Sequence, residues 1–143
     1  MYFHFLCDDM GYDLLAGLFK RTAIDEMMHV EKLPERILFL KGDVDMKPGG
    51  EVEKIKDFAE MLEKASNMEL ESARDYNVWA NESSANADSA TKQIFEGLVA
   101  EEERHYDQYD TEHENLKKFG DRYLALQSIE RSKNISAMGR PVE

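Results

Sequence analysis

Two segments of the chain place a glutamate and a histidine three residues apart within a helical pattern. The first, AIDEMMHVEKL at residues 23–33, carries Glu26 and His29, and the second, VAEEERHYDQY at residues 99–109, carries Glu102 and His105. Residues three apart lie on the same side of a helix, so each pair presents a carboxylate and an imidazole together. Mixed oxygen and imidazole ligands suit iron or manganese, and zinc is possible.

Both pairs fall on the apolar stripe that each helix should turn toward a core. Glu69, in a third segment, occupies the same kind of position. The three stripes follow a spacing of three and four residues, and they consist of Leu15, Phe19, Thr22, Glu26, His29, Leu33, Ile37 and Leu40; of Phe58, Leu62, Ala65, Glu69, Ser72 and Tyr76; and of Ile94, Leu98, Glu102, His105, Tyr109, Glu112 and Leu116.

The three carboxylates should also lie at one height. Glu26, Glu69 and Glu102 each follow the predicted start of their helix by about 13 to 16 residues, or roughly 20 to 24 Å. Burying them together without compensation costs several kcal/mol each, so they must be protonated, paired with cations or bound to metal. A single Glu-x-x-His is more often a solvated helix face, but these stripes carry no Lys or Arg near that level, which favours a metal site.

The elements that would position these residues are long helices. Leu, Met, Glu, Lys and Ala are abundant, and no alternating β-branched run occurs, so we predict an all-α fold. Asp13 and Asp88 are predicted N-caps, and Pro34 should kink the second helix. The predicted helices run to about Met10, from Tyr12 to Lys41, from Glu53 to Asn86, from Ser89 to Phe119 and from Asp121 to Arg131.

The connection GDVDMKPGGEVE, residues 42–53, predicts the topology. About 12 extended residues reach some 40 Å, close to the length of a helix of about 30 residues, so this linker lets the second and third helices run parallel. The other connections suit only antiparallel neighbours. One long crossover in a four-helix bundle is the ferritin-like arrangement. We therefore predict a bundle over residues 1–120, followed by a short fifth helix and tail over residues 121–143.

Composition narrows the classes of partner. The chain has 30 acidic and 18 basic residues among 143, for a formal net charge of −12. This field repels nucleic acid and anionic membrane and attracts cations. Cys7, the single cysteine, excludes an internal disulfide and is predicted to be a small core residue. With no stretch near the roughly 18 apolar residues of a membrane span and no signal pattern, we expect a cytoplasmic protein.

At these residues the chain resembles the bacterioferritins, a family of ferritin-like di-iron carboxylate proteins. The similar segments are DEMMHVEKLPERILFLKGDVDM, NMELESARDY, AEEERHYDQYDTEHENLKKFG and, as the short fifth helix, RYLALQSI. The resemblance implies that Glu26 and Glu102 bridge two irons, that His29 and His105 each bind one, and that Glu69 is a terminal ligand. It further implies oxidation of Fe(II) by dioxygen or peroxide and mineral storage in a shell of 24 subunits.

The chain departs from the family at its start. If the first helix also supplied a mid-bundle carboxylate, that residue would fall on the order of five to eight residues before Met1, where the family's fourth glutamate would lie. MYFHFLCDDM therefore looks like the back half of a helix. We expect a truncated chain, and the alternative is a site with five protein ligands.

The resemblance also draws attention to Met27, because bacterioferritins bind haem between subunits through one methionine from each. An adaptable packing residue is an equally ordinary role for a helical methionine. Trp79 is expected to pack in the core with Tyr76. Two other functions remain open: a di-iron oxidase or peroxidase without mineral storage, and a haem-carrying or structural shell subunit whose metal site is impaired.

Overall fold

Five α-helices form the fold in the computed structural model, which describes residues 1–138 and the side chains of residues 1–134. They are α1 (Tyr2–Asp9), α2 (Asp13–Phe39), α3 (Phe58–Ala85), α4 (Ser89–Phe119) and α5 (Asp121–Met138). Residues 1–138 contain no strand, so the prediction of an all-α fold is confirmed. The fold class follows from the sequence because good helix formers dominate every long segment.

The helices pack as two hairpins, α1 with α2 and α3 with α4, and α4 also contacts α2. Short turns join the members of each hairpin, which makes them antiparallel neighbours. Arg36, near the end of α2, pairs with Asp88, just beyond α3, at 2.7 Å. The ends of α2 and α3 therefore lie together, and the two helices run parallel across the long connection at residues 40–57, as predicted.

The apolar core lies at the end of the bundle where α1 turns into α2. Aromatic rings join the helices there, with centroids 4.8 Å apart for Tyr12 and Phe58 and 5.4 Å apart for Phe19 and Tyr109. Cys7 is fully buried, as expected, and burial raises the pKa of its thiol to about 12. The core consists of Cys7, Leu15, Ala16, Leu18, Phe19, Phe58, Met61, Leu62, Ala65, Tyr109 and Tyr123.

Capping side chains set the starts of α3 and α4. Asp57 accepts a hydrogen bond from the backbone N–H of Glu60 at 3.0 Å, so α3 begins after Asp57 and the predicted start at Glu53 is wrong. Asp88 accepts from the backbone N–H of Thr91 at 3.0 Å, which confirms it as the N-cap of α4. A capping carboxylate satisfies a helix donor that has no partner within the helix.

The start of α2 differs from the prediction. Tyr12 is the N-cap residue, so the assignment of Asp13 as the cap is wrong. Asp13 is instead the first helical residue and accepts a hydrogen bond from Arg131 of α5 at 2.9 Å. The helix continues through Pro34 to Phe39, and a kink at the proline stays a prediction.

The second half of α2 is more exposed than its apolar stripe predicted. Ile37 and Leu40 were expected to face inward, but both are exposed. Because α1 has only eight residues, it spans about 12 Å and covers only the beginning of α2. The pairing of Arg36 with Asp88 places the other end of α2 beside the turn between α3 and α4, well beyond the reach of α1.

Helix α5 folds back onto the corner between α1 and α2. Gln127 is buried and accepts a hydrogen bond from the backbone N–H of Leu15, in the first turn of α2, at 3.2 Å. Arg131 donates to the backbone carbonyl of Asp8 at 2.7 Å. The helix extends to Met138 rather than ending at Arg131, and residues 139–143 of the predicted tail lie outside the described residues.

Replacement of Gln127 tests this docking. In Gln127→Met the side-chain volume is similar, but the backbone N–H of Leu15 loses its acceptor inside the protein. An unsatisfied buried donor costs about 1–3 kcal/mol, so we expect the free energy of unfolding to fall by that amount in urea denaturation at fixed protein concentration. The matched control is Gln93→Met, an exposed glutamine on α4. Equal stability of the two variants would contradict the role of Gln127.

Candidate metal centre

Three helices bring acidic and imidazole side chains to one point in the bundle. Glu26 of α2, Glu69 of α3, and Glu102 and His105 of α4 each offer one ligand atom, and these four atoms all lie within 4.8 Å of one another. Glu69, Glu102 and His105 are buried. The stripe positions and the equal depth inferred from the sequence thus correspond to a real cluster.

His29 completes the set from α2. Its ring is buried, and its Nδ1 lies 3.2 Å from Glu26 Oε2 and 3.1 Å from Glu102 Oε1. The imidazole rings of His29 and His105 are stacked with centroids 5.9 Å apart. All five predicted site residues therefore lie together, with one histidine on each side of the carboxylates.

The two central glutamates are placed between the histidines. Glu26 directs Oε2 toward His29 and Oε1 toward His105 Nδ1, at 3.2 Å in both cases. Glu69 Oε2 lies 3.6 Å from His105 Nδ1. Glu69 therefore adds its charge on the His105 side of the cluster, as Glu102 does on the His29 side, where its Oε1 lies 3.1 Å from Nδ1.

Three buried atoms of the cluster contact polar partners without good hydrogen-bond geometry. Glu26 Oε1 and His105 Nδ1 lie 3.2 Å apart, and Glu102 Oε1 lies 3.1 Å from His29 Nδ1. A ligand that binds the lone pairs of these atoms would satisfy them better than they satisfy one another. A divalent cation fits this donor set, because it accepts lone pairs from both carboxylate oxygens and imidazole nitrogen.

Burial and mutual repulsion shift the acid–base properties of the cluster. Desolvation, together with Glu69 and the charge of Glu26, raises the pKa of Glu102 to about 9. Desolvation lowers the pKa of His105, but contacts with Glu26, Glu69 and Asp25 outweigh it and raise the value to about 10. Without metal, the cluster thus holds extra protons that reduce its negative charge at neutral pH.

The site opens to solvent beside Glu26. The side chain of this residue is 40% exposed, although its Oε1 atom is buried. The side chains of Glu69, Glu102, His29 and His105 are 10% exposed or less. Glu26 is therefore the member of the cluster that a cation from solvent reaches most easily.

Comparison with known proteins gives the same fold and the same kind of site. A family model for the ferritin-like domain matches residues 1–127. The bacterioferritin of Desulfovibrio desulfuricans is 32% identical over 122 residues, covering 85% of this chain and 68% of that protein. The bacterioferritin of Brucella melitensis is 30% identical over 116 residues, covering 81% of this chain and 72% of that protein. The chain belongs to the bacterioferritins of the ferritin-like family.

A solved bacterioferritin structure supports this assignment. The X-ray structure of the Desulfovibrio desulfuricans bacterioferritin, which describes its di-iron site in different catalytic states, superimposes with a TM-score of 0.85 at 31% identity. The match covers 87% of this chain and 73% of that one. The predicted ferritin-like bundle with one long crossover and a C-terminal fifth helix is confirmed, whereas the division at residue 120 stays a prediction.

Met27 and Trp79, two residues outside the cluster that the sequence singled out, are both exposed. Met27 lies beside the site in sequence but is 58% exposed, on the outer side of α2. Trp79 was expected in the core and is instead 41% exposed, with its ring 5.6 Å from that of Tyr76. Trp79 also lies 5.6 Å from the ring of Phe95 on α4, so it packs at the edge of the interface between α3 and α4.

Four charged residues around the histidines were missed by the sequence reasoning. Asp25 and Glu101 each contact an imidazole from the opposite helix, and Arg104 and Lys32 contact those carboxylates. The sequence does carry a signal, because an acidic residue precedes Glu26 and Glu102 alike. The signal is weak by itself, since acidic neighbours are common on solvated helices.

Among the described residues, no helix is both long and apolar enough to cross a membrane. Helices α2, α3 and α4 have the necessary length, but charged residues interrupt each of them repeatedly. Their apolar surface forms a stripe rather than a continuous belt.

The proton binding of the cluster predicts how stability depends on pH. Glu102 and His105 have folded pKa values near 9 and 10, against ordinary values of 4.5 and 6.5. Between about pH 5 and 10 the folded state therefore binds more protons than the unfolded state, so the free energy of unfolding of the metal-free protein should fall as pH rises. The melting temperature, followed by circular dichroism across this range, measures the decline.

Two variants test whether this decline in stability arises from the cluster or from the overall charge of the protein. Glu102→Gln removes one ionisation and should flatten the decline, whereas Glu103→Gln removes an exposed acid from the same helix and should leave it unchanged. If the Glu102→Gln protein kept the full decline, the raised pKa of Glu102 would be wrong.

Proposed function

We propose that the chain oxidises Fe(II) at a di-iron site inside the bundle and stores the ferric product within a multi-subunit shell. The observation that carries the proposal is the convergence of Glu26, Glu69, Glu102 and His105 from three helices, with one ligand atom of each within 4.8 Å of the others. The structure of the Desulfovibrio desulfuricans relative, with its di-iron site, supports iron as the metal.

The geometry supports a distinct role for each ligand. Glu26 lies between the two histidines with one oxygen toward each, which suits a bridging carboxylate. Glu102 approaches His29 and belongs to the group that includes His105, so it is the second bridge. Each histidine serves one iron. Glu69 is a terminal ligand on the His105 side, where its Oε2 lies 3.6 Å from Nδ1.

These residues suit the oxidation chemically. Hard carboxylate oxygens bind Fe(III) more tightly than Fe(II), so a carboxylate-rich site favours loss of an electron. Two Fe(II) supply two electrons, which with two protons reduce dioxygen to hydrogen peroxide, or reduce hydrogen peroxide to two waters. Iron is the substrate here, and Glu102 and His105 must release protons when it binds.

The charge of the chain supports a cationic substrate. A formal net charge of −12 raises the local concentration of Fe(II), and the exposed side of Glu26 gives it access to the ligands. The same charge disfavours nucleic acid and anionic membrane as partners. Cytoplasmic location remains part of the proposal.

A second candidate function is a di-iron oxidase or peroxidase that acts without storing mineral. The same ligand set would serve it, because these carboxylates and histidines do not by themselves specify mineral storage. A third candidate is a haem-carrying or structural shell subunit with an impaired metal site. The 58% exposure of Met27 favours it, because this side chain is available to a group held between subunits.

Iron binding and oxidation test the proposal directly. The metal-free protein is titrated with Fe(II) without oxygen and then exposed to air, while bound iron per chain and ferric absorbance are recorded. We expect two tight irons and rapid oxidation. In Glu69→Ala the rate should fall on the order of 10-fold or more, because even groups that only support a ligand are worth that much.

The control for Glu69 is Glu71→Ala, an exposed acid on the same helix. Equal rates in the two variants would contradict the assignment of Glu69. If the unsubstituted chain bound one iron or none and oxidised it slowly, the impaired shell subunit would be the better description.

Particle size and haem content distinguish among the three candidate functions. We expect size-exclusion chromatography with absorbance detection to show a particle of 24 chains that carries a haem band after reconstitution. Met27→Ala should abolish the haem band without changing the particle. Met28→Ala is the matched control, since Met28 is the next residue and is 47% exposed. A dimer would favour the oxidase, and haem retained in Met27→Ala would exclude Met27 as its ligand.

A further inference from the structure

Each cluster histidine is held on its outer nitrogen by a carboxylate from the opposite helix. His29 of α2 directs Nε2 to Glu101 Oε2 of α4 at 2.5 Å. His105 of α4 directs Nε2 to Asp25 Oδ2 of α2 at 3.0 Å. The two contacts are reciprocal, because each of these helices gives an acid to the other's histidine.

A cation completes each arrangement. Lys32 Nζ donates to Glu101 Oε1 at 3.0 Å, from the same helix as His29. Arg104 Nη2 donates to Asp25 Oδ2 at 2.9 Å, from the same helix as His105. Each carboxylate is thus held between a histidine and a cation of the facing helix.

We propose that Glu101 and Asp25 are positioning residues of the metal centre, which hold Nε2 of His29 and His105 so that Nδ1 of each ring faces the carboxylate cluster. A neutral imidazole has one N–H and one lone pair, and an ionised carboxylate can only accept a hydrogen bond. A carboxylate on Nε2 therefore favours the tautomer that has its proton on Nε2 and the lone pair of Nδ1 toward the cluster. Arg104 Nη2 also lies 3.0 Å from His105 Nε2, but it donates to Asp25 Oδ2, so the carboxylate is the acceptor for that ring. This inference rests on the proposed function, since it concerns the same ligands.

A purely structural role explains these contacts less well. The Lys32–Glu101 and Arg104–Asp25 pairs are partly exposed, and ion pairs at such positions contribute little to stability. The histidine contacts, in contrast, reach two of the most deeply buried side chains in the described part of the chain. A carboxylate on the outer nitrogen also fixes the ring's rotation and increases its basicity toward metal.

The two arrangements differ in which carboxylate oxygens they use and in the length of the histidine contact. Glu101 receives His29 and Lys32 on separate oxygens, whereas Asp25 receives His105 and Arg104 on the same oxygen, Oδ2. The Glu101 contact is also the shorter one. The ring of His29 is therefore held by an oxygen that no cation shares, and each carboxylate can be tested through its own histidine.

Co²⁺ is the probe for the test, because it binds such sites without being oxidised by air and its histidine N–H protons give shifted NMR signals. We expect two exchangeable N–H signals in the Co²⁺-loaded protein, both protected from solvent. Glu101→Gln should weaken one Co²⁺ site by about 10- to 100-fold and remove the protection of one N–H. Asp25→Asn should weaken the other Co²⁺ site and remove the protection of the other N–H. The asparagine amide can donate to Nε2, which permits the tautomer with its proton on Nδ1.

Glu103→Gln and Glu31→Gln are the controls, because they remove the same charge from exposed positions on the same two helices. They should leave both Co²⁺ affinities and both signals unchanged. Asp25→Glu and Glu101→Asp keep an acceptor and should restore much of the lost affinity. Circular dichroism confirms that each variant is folded.

The outcomes separate this proposal from the proposed function. Unchanged N–H protection and Co²⁺ affinity in Glu101→Gln and Asp25→Asn would overturn the positioning role, and so would equal losses in the two controls, which would show a simple effect of charge. If the amide variants respond as expected but the unsubstituted protein does not oxidise Fe(II), the positioning role stands and ferroxidase activity is excluded. A chain that binds no Co²⁺ overturns both.

Discussion

The mutual repulsion of carboxylates buried at the middle of the bundle is the constraint around which the structure is organised. Glu26, Glu69 and Glu102 meet where a helical protein would ordinarily place apolar side chains. Their charge is tolerated in the metal-free state because protons remain on the cluster, as the raised pKa values of Glu102 and His105 show. A cation bound by these oxygen and nitrogen atoms would replace those protons.

The buried apolar contacts that stabilise the bundle lie mainly to one side of this polar centre. The apolar core lies at the α1–α2 corner, where α5 adds Gln127 and Arg131 as further contacts. Toward the other end, apolar residues of α2 such as Ile37 are exposed. The cluster lies between the buried core and this exposed part of the bundle.

The surroundings of the histidines show how a repeated sequence pattern produces a nearly symmetrical arrangement. An acidic residue followed by Glu-x-x-His occurs on α2 and on α4, and each copy places its acid on the other copy's histidine. On the inner side, Nδ1 of each histidine faces Glu26 and one further glutamate, which is Glu102 for His29 and Glu69 for His105.

The sequence alone determined the helical class, the parallel course of α2 and α3, and the five residues that meet in the cluster. It could do so because helical periodicity is local, so that the spacing of Glu26 from His29 and the depth of Glu69 can be counted along the chain. Helix boundaries were less accurate. Helix α3 begins at Phe58, after its N-cap Asp57, rather than at Glu53, because the capping hydrogen bond of Asp57 fixes the start of the helix more strongly than helix propensity does.

Only the tertiary structure decided which residues meet across helices. Asp25, Glu101, Lys32 and Arg104 read as ordinary charged positions until α2 and α4 are packed together. The burial of Gln127 against Leu15 and the exposure of Trp79 likewise depend on where α5 and α1 end in space. Sequence patterns specify the face of each helix, but the contacts between faces depend on packing over the whole bundle.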